Sequence, residues 1–305
     1  MKFGVNIVNN GPNAKPETLR HWVQQAEETG YHLITVSDHV ATTQDVHDTF
    51  PTQLYDPFVT LAWFAALTSR IELATSVVIT PLRSPLNTAR LTANIDRLSN
   101  GRMVLGVGTG WAKGEFDALK VSHRQRARIT DEYLGVIKRL WTEDVVTHHG
   151  EFADFERVHT APRPLRDPHP PLWIGGSGPR SVRRIATYAD AWHPIWATTE
   201  WLRTEGLPAL RDAAEQAGRP VPALCPRVNL RITDSPLTDP KRLPGEGTLD
   251  QIRQDLEELA ELGAQYVVFD NYPAVEDREH SPEALWELFQ VLADKVIDLD
   301  GQTLR

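Results

Sequence analysis

The sequence predicts an α/β fold of the (β/α)8 TIM-barrel class, on three observations. Short apolar segments rich in β-branched residues alternate eight times with amphipathic helical segments. Unbroken alternation of this kind requires a parallel sheet with right-handed crossovers. After the first strand, Asn9-Asn10-Gly11-Pro12 lacks the glycine spacing of a phosphate loop, which disfavours a doubly wound open sheet. The 305 residues suit one domain over 1–305, with an insertion between the fourth helix and the fifth strand.

The first strand is residues 2–8. A helix over 16–29 follows, with Leu19, Trp22, Val23 and Ala26 on one stripe and Gly30 as its stop. The second strand is Leu33-Ile34-Thr35-Val36, and it ends in the polar run Ser37-Asp38-His39. A polar loop over 40–55 leads to a helix over 56–68. The third strand covers 71–79. Ser84-Pro85 then starts a helix to residue 98, a cap with proline at the first helical position. The fourth strand is 103–107, and its helix is 129–141, reached through a loop carrying Trp111 and Glu115. Residues 142–171 break the rhythm with proline, histidine and charge, including a β-like piece at 151–155. They read as an insertion, and such a loop can serve as a lid. Strands at 172–174, 191–196, 224–232 and 266–270 follow, paired with helices at 179–188, 200–217, 249–262 and 282–296.

Composition narrows the function classes. Hydrophobic content of 41% and charged content of 24% are those of a globular protein. A formal charge of -9 without a sustained Lys/Arg run argues against nucleic acid as a partner. One cysteine, Cys225, permits no intrachain disulfide and fits a reducing cytoplasm. Neither a signal-peptide core nor a membrane span is legible, so no membrane partner is expected. No HxxxH or paired-cysteine spacing points to a metal.

In a barrel of this class the active site lies at the C-terminal strand ends. Those ends offer Asn6 and Asn9; Ser37, Asp38 and His39; Ser76 and Thr80; Thr109, Gly110 and Trp111; Gly175 to Gly178; His193 and Trp196; Arg227, Asn229 and Arg231; and Asp270, Asn271 and Tyr272. A carboxylate next to an imidazole at a strand end suits proton or hydride chemistry. The bland alternative makes Asp38 a loop cap and His39 a surface residue. Gly106-Val-Gly-Thr-Gly110 either leaves room for a planar ring or is a tight turn. Gly175-Gly176-Ser177-Gly178-Pro179 leaves backbone N–H groups free at a helix start, which is either a phosphate cradle or a simple cap. Arg227 and Asn229 share one strand face, read here as inward, where they can contact a substrate.

Taken in order, these motifs resemble the bacterial luciferase-like oxidoreductases. The resemblance rests on Ser37-Asp38-His39, on Gly106-Val-Gly-Thr-Gly-Trp111-Ala-Lys-Gly-Glu115-Phe116, on Arg139-Leu-Trp-Thr142, on Pro171-Leu-Trp-Ile-Gly-Gly-Ser-Gly-Pro179 and on Tyr188-Ala-Asp-Ala-Trp192. The GxGxGWxxxEF pattern and the glycine pair after the fifth strand look most like the branch that uses the deazaflavin coenzyme F-420. The resemblance implies a ring site at Asp38, His39, Ser76, Val77, Thr109 and Gly110, with a non-prolyl cis peptide at Ser76-Val77. It also implies a phosphate site at Gly176, Ser177 and Gly178. His39 would be the acid/base or would orient the coenzyme, and Asp38 would hold its imidazole. Trp111 stands where deazaflavin sugar-phosphate dehydrogenases carry a glutamate, so it implies an apolar wall and a different substrate. Trp111, Trp196, Arg227 and Asn229 are the expected substrate contacts. Three functions are weighed on this resemblance. The first is F-420-dependent hydride transfer with a small organic substrate, the second an FMN-dependent monooxygenase using O2, and the third a non-catalytic flavin binder. A homodimer is the expected assembly.

Overall fold

A computed structural model describes residues 1–50, 54–239, 241–271 and 281–305. In chain order its elements are β1 (Lys2–Asn6), α1 (Pro16–Thr29), β2 (Leu33–Val36), α2 (Gln44–Thr49), α3 (Pro57–Leu67), β3 (Glu72–Thr75), β4 (Val78–Ile79), α4 (Pro85–Leu98), β5 (Met103–Gly108), α5 (Lys113–Ala118) and α6 (Arg126–Thr142). There follow β6 (Val145–His149), β7 (Asp154–His159), β8 (Leu172–Ile174), α7 (Pro179–Tyr188), β9 (Ala191–Trp192), α8 (Thr199–Trp201), α9 (Leu207–Gln216), β10 (Ala223–Leu224) and β11 (Arg227–Asn229). The last are β12 (Arg231–Ile232), β13 (Glu246–Gly247), α10 (Leu249–Glu261), β14 (Tyr266–Asp270), α11 (Pro282–Lys295), β15 (Ile297–Asp298) and β16 (Thr303–Leu304).

Local chemistry sets the helix ends. Helices α1, α3, α4, α7 and α11 each start on proline, whose fixed φ suits the first turn. Asp56 caps α3 by accepting from the N–H groups of Phe58 and Val59. Thr248 and Gln251 form a capping box on α10. Gly30 closes α1 at a φ of 101°, a left-handed conformation open to glycine at little cost.

The chain divides into two units. One comprises Met1–Val8, Lys15–Thr35 and Trp173–Arg305. In it, β2, β1, β14 and β11 pair in that order, all parallel. Strands β8, β9 and β10 form a second parallel run. Bridges from Ile195 to Arg227 and from Leu224 to Ala264 join the two runs. Phe3, Val5, Leu33, Ile34, Trp192, Val268 and Phe269 are fully buried in this unit. Such continuous apolar strands are what a parallel sheet covered on both faces requires.

The other unit comprises Asn9–Ala14 and Val36–Leu172. There β5 pairs in parallel with β3 and, further along, with β4. The end of β2 joins through Ser76 N donating to Val36 O at 2.8 Å, and the approach to β8 through Leu105 N donating to Pro171 O at 2.9 Å. Helices α3, α4 and α6 pack together, with Leu61, Phe64, Leu134, Ile137 and Trp141 buried among them.

The α/β alternation holds at all eight strand positions, while several bounds differ from the expected ones. The third strand is interrupted at the cis peptide Ser76-Val77, so β3 and β4 are separate. The seventh breaks at Pro226, which has no N–H to give the ladder. The helix expected over 200–217 opens with a wide π turn over Leu202–Gly206, just before Pro208 removes another donor. Helices α2 and α5 stand where loops were expected. Both are six residues long, too short to display a clear apolar period. Within 142–171, β6 and β7 form an antiparallel hairpin. Glu132 on α6 holds its tip, accepting from the N–H groups of Glu151, Phe152 and Ala153.

Candidate functional site

The polar groups at the strand ends fall into two clusters, one in each unit. In the unit built on β3 and β5, the chain leaving β2 is fixed residue by residue. Asn9, fully buried, accepts from Ser37 N at 2.9 Å and donates to Ser37 O at 2.9 Å and Tyr55 O at 2.8 Å. Asp38 is buried and accepts from Ile79 N at 3.0 Å, Arg83 Nε at 3.1 Å and Arg83 Nη2 at 2.7 Å. Arg83 also donates to Asp56 at 2.7 Å, and its guanidinium lies 5.5 Å from the Phe58 ring centre. Burial works against its charge. The hydrogen bonds and charges of Asp38 and Asp56 outweigh that cost and hold its proton more tightly than usual.

This corrects one expectation. Asp38 does not hold the His39 imidazole: its carboxylate serves Arg83 and the Ile79 amide. His39 Nδ1 instead meets Glu115 Oε2 at 2.7 Å, and Glu115 is fully buried. Glu115 Oε1 also accepts from Val40 N at 2.7 Å and Ala41 N at 3.0 Å. Phe50 and Trp111 border the imidazole, their ring centres 5.2 Å and 5.6 Å away, with Trp111 edge-on at 84°. Trp111 is half exposed, at 50%.

The glycine run lies close against a neighbouring chain segment. A Cβ at Gly106 would lie 1.9 Å from Thr75 O, one at Gly108 2.7 Å from a Val77 methyl, and one at Gly110 2.6 Å from an Ile79 methyl. Glycines at every second position of this chain therefore admit residues 75, 77 and 79 of its neighbour. Their small size serves that close approach. The cis peptide Ser76-Val77 lies in the same segment, as the resemblance implied.

In the other unit, β8 runs into Gly175 and then α7. Gly178 is the N-cap of α7, at φ -75° and ψ 162°, and a Cβ there would meet nothing within 4 Å. Gly176 has a φ of 106°, and Trp192 Nε1 donates to its carbonyl at 2.8 Å. Gly176, Ser177 and Gly178 thus lead into a helix N-terminus with open space in front of it. His193 is buried, and its Nδ1 lies 2.6 Å from Cys225 O, so it donates there. Burial pushes its pKa down to about 4, with the Arg227 charge adding to the shift and the bond to Cys225 opposing it. Arg227 donates to Asp270, which accepts from Asn6, whose amide oxygen accepts from Thr35. Asn229 donates to Glu246 at 3.0 Å. Arg231 is exposed, whereas Arg227 and Asn229 are part-buried. Trp196 is 74% exposed and holds a φ of 55°, an uncommon conformation for a residue with a side chain. Tyr272 lies outside the described residues.

Sequence reasoning singled out Asp38, His39 and Trp111 and missed three residues that contact the first two. Glu115 had a signal, being an acid inside the glycine-tryptophan motif. Arg83 and Phe50 had none, since nothing in their neighbourhoods sets them apart. Among the described residues no His/Cys/Asp/Glu group is arranged to hold a metal ion, and no helix is long and apolar enough to cross a membrane.

The family model for luciferase-like monooxygenases matches residues 1–237. An F420-dependent glucose-6-phosphate dehydrogenase from Kineococcus radiotolerans is 34% identical over 209 residues, 67% of this chain and 60% of that protein. An FMNH(2)-dependent dimethylsulfone monooxygenase from Pseudomonas putida is 34% identical over 131 residues, 42% of this chain and 36% of that protein. Among solved structures, monooxygenase RslO1 from Streptomyces bottropensis shares the fold. Its TM-score is 0.81 at 23% identity, over 96% of this chain and 98% of that one.

Proposed function

This chain belongs to the luciferase-like monooxygenase family and is a flavin- or deazaflavin-dependent oxidoreductase, and from that premise we propose that it uses coenzyme F-420 to exchange a hydride with a small organic substrate. The observation that carries the reading is His39. One ring nitrogen is committed to Glu115, while the other takes no hydrogen bond from the described residues. A strand-end imidazole with one free nitrogen is what proton exchange beside hydride transfer requires. The likeness to the F420-dependent relative also extends over more of the chain than the likeness to the FMNH2-dependent one.

The residues present fit such a coenzyme. Gly178 offers open backbone at the start of α7, where Gly176, Ser177 and Gly178 would hold a phosphate on N–H groups and the helix dipole. Ser76, Val77, Thr109 and Gly110 would back the ring with main chain. When bound, the coenzyme supplies the hydride chemistry. His39 gives or takes the accompanying proton. Asp38, locked by Arg83, holds its place in the chain rather than moving a proton, and so acts as scaffold beside the ring. Trp111 and Phe50 give the substrate an apolar wall at His39. Trp196, Arg227 and Asn229 are the proposed substrate contacts of the other unit. A homodimer in a reducing cytoplasm, with the β6–β7 hairpin acting as a lid over a single barrel domain, completes the proposal.

The Pseudomonas relative favours a second reading, an FMN-dependent monooxygenase. Titration of the purified protein with F-420 and with FMN separates the two. Tight binding of F-420 together with hydride exchange supports the first reading. Tight binding of FMN, with O2 uptake once the flavin is reduced, replaces it with the second.

A further inference from the structure

Glu115 is a fully buried acid whose two oxygens have separate tasks. Oε1 accepts from the backbone of Val40 and Ala41, which fixes the chain just after β2. Oε2 lies 2.7 Å from His39 Nδ1. A carboxylate accepts and cannot donate, so the proton between them belongs to Nδ1. Neutral imidazole carries only one N–H, so Nε2 is left as an acceptor. Phe50 and Trp111 border the ring without offering a competing polar partner. We infer that Glu115 is a positioning residue that sets the His39 tautomer, so that His39 enters the reaction as a base at Nε2. The inference rests on the redox reading above. In the oxidative direction the substrate O–H bond would break and its proton would pass to Nε2. A bound deazaflavin would supply the acceptor for the hydride that leaves carbon as the carbonyl forms. The imidazolium so produced faces the Glu115 carboxylate.

Glu115→Gln isolates this role. The two backbone donors at Val40 and Ala41 need an acceptor, so the amide oxygen stays with them and the NH2 turns to Nδ1. His39 must then accept at Nδ1 and carry its proton on Nε2, with the chain after β2 still anchored. The tautomer is read by long-range 15N–1H NMR on the enzyme without coenzyme, at about pH 9, where ordinary imidazoles are neutral. The His39 signals are those lost in His39→Asn. The expected result is a protonated Nδ1 in the wild type and a protonated Nε2 in Glu115→Gln. With coenzyme and substrate, Glu115→Gln should lower kcat for oxidation by about ten-fold or more, within the range of general acid/base effects, and leave the coenzyme Kd unchanged. An Nε2–H tautomer in the wild type overturns the inference, as does an Nδ1–H tautomer in a folded Glu115→Gln enzyme. The NMR result needs no coenzyme and so judges Glu115. A protein with the expected tautomers that fails to bind F-420 overturns the redox reading instead.

Discussion

Replacing Gly178 with valine tests the phosphate cradle with little disturbance to the fold. The residue sits at φ -75° and ψ 162°, a conformation open to any L-amino acid, and a Cβ there meets nothing within 4 Å. Folding stability should therefore stay within about 0.5 kcal/mol, the usual span for a surface change. The added methyl groups would occupy the space in front of the α7 N-terminus, where a phosphate is proposed to sit on backbone N–H groups. Hydrogen bonds to a charged group contribute about 1.5–3 kcal/mol, and each 1.4 kcal/mol is ten-fold in affinity. The coenzyme Kd should rise by about ten- to a hundred-fold, measured by fluorescence titration with thermal unfolding run in parallel. Gly176→Val is the less clean test. Its φ of 106° and the approach of its Cβ to Ser181 Oγ at 2.8 Å would strain the fold as well. A folded Gly178→Val protein that binds the coenzyme with unchanged affinity would refute the cradle.

Four further outcomes are expected. His39→Ala should lower kcat by about 10²–10⁴-fold with little change in coenzyme Kd; near-normal kcat would remove its acid/base role. Arg83→Met should destabilise the fold by about 3 kcal/mol in urea unfolding, because it strands the buried Asp38 carboxylate; a change below about 1 kcal/mol would show that Asp38 finds another partner. His193 has a folded pKa of about 4 against an ordinary 6.5, so the unfolded chain binds its proton first and stability falls as pH drops from 6.5 towards 4. His193→Gln should flatten the stability profile over that window, and an unchanged slope would assign the pH dependence elsewhere. Protease cleavage at the β6–β7 hairpin should slow when coenzyme and substrate are bound, and equal rates in every state would make the hairpin a fixed surface feature.

Much of the site was legible as position and little of it as contact. Asp38 and His39 were readable at a strand end because an apolar run stops at Val36 and three polar residues follow. Their partners were not, since Glu115 reaches His39 across 76 positions and Arg83 reaches Asp38 across 45. The glycines at 106, 108 and 110 carry a packing signal as well as a ligand one. Small residues at every second position on a strand mark the near approach of a neighbouring chain, and here that neighbour is 75–79.

The sequence by itself determined the order of strands and helices, where most helices begin, and which residues stand at the strand ends. These follow from local terms: apolar period, proline at first turns, polar caps and glycine stops. The tertiary structure decided which carboxylate holds His39 and which is spent on Arg83. Asp38 spends its carboxylate on Arg83 and the Ile79 amide, while His39 Nδ1 meets Glu115. Only the folded chain brought the buried acid Glu115 to His39 and the part-buried guanidinium of Arg83 to Asp38.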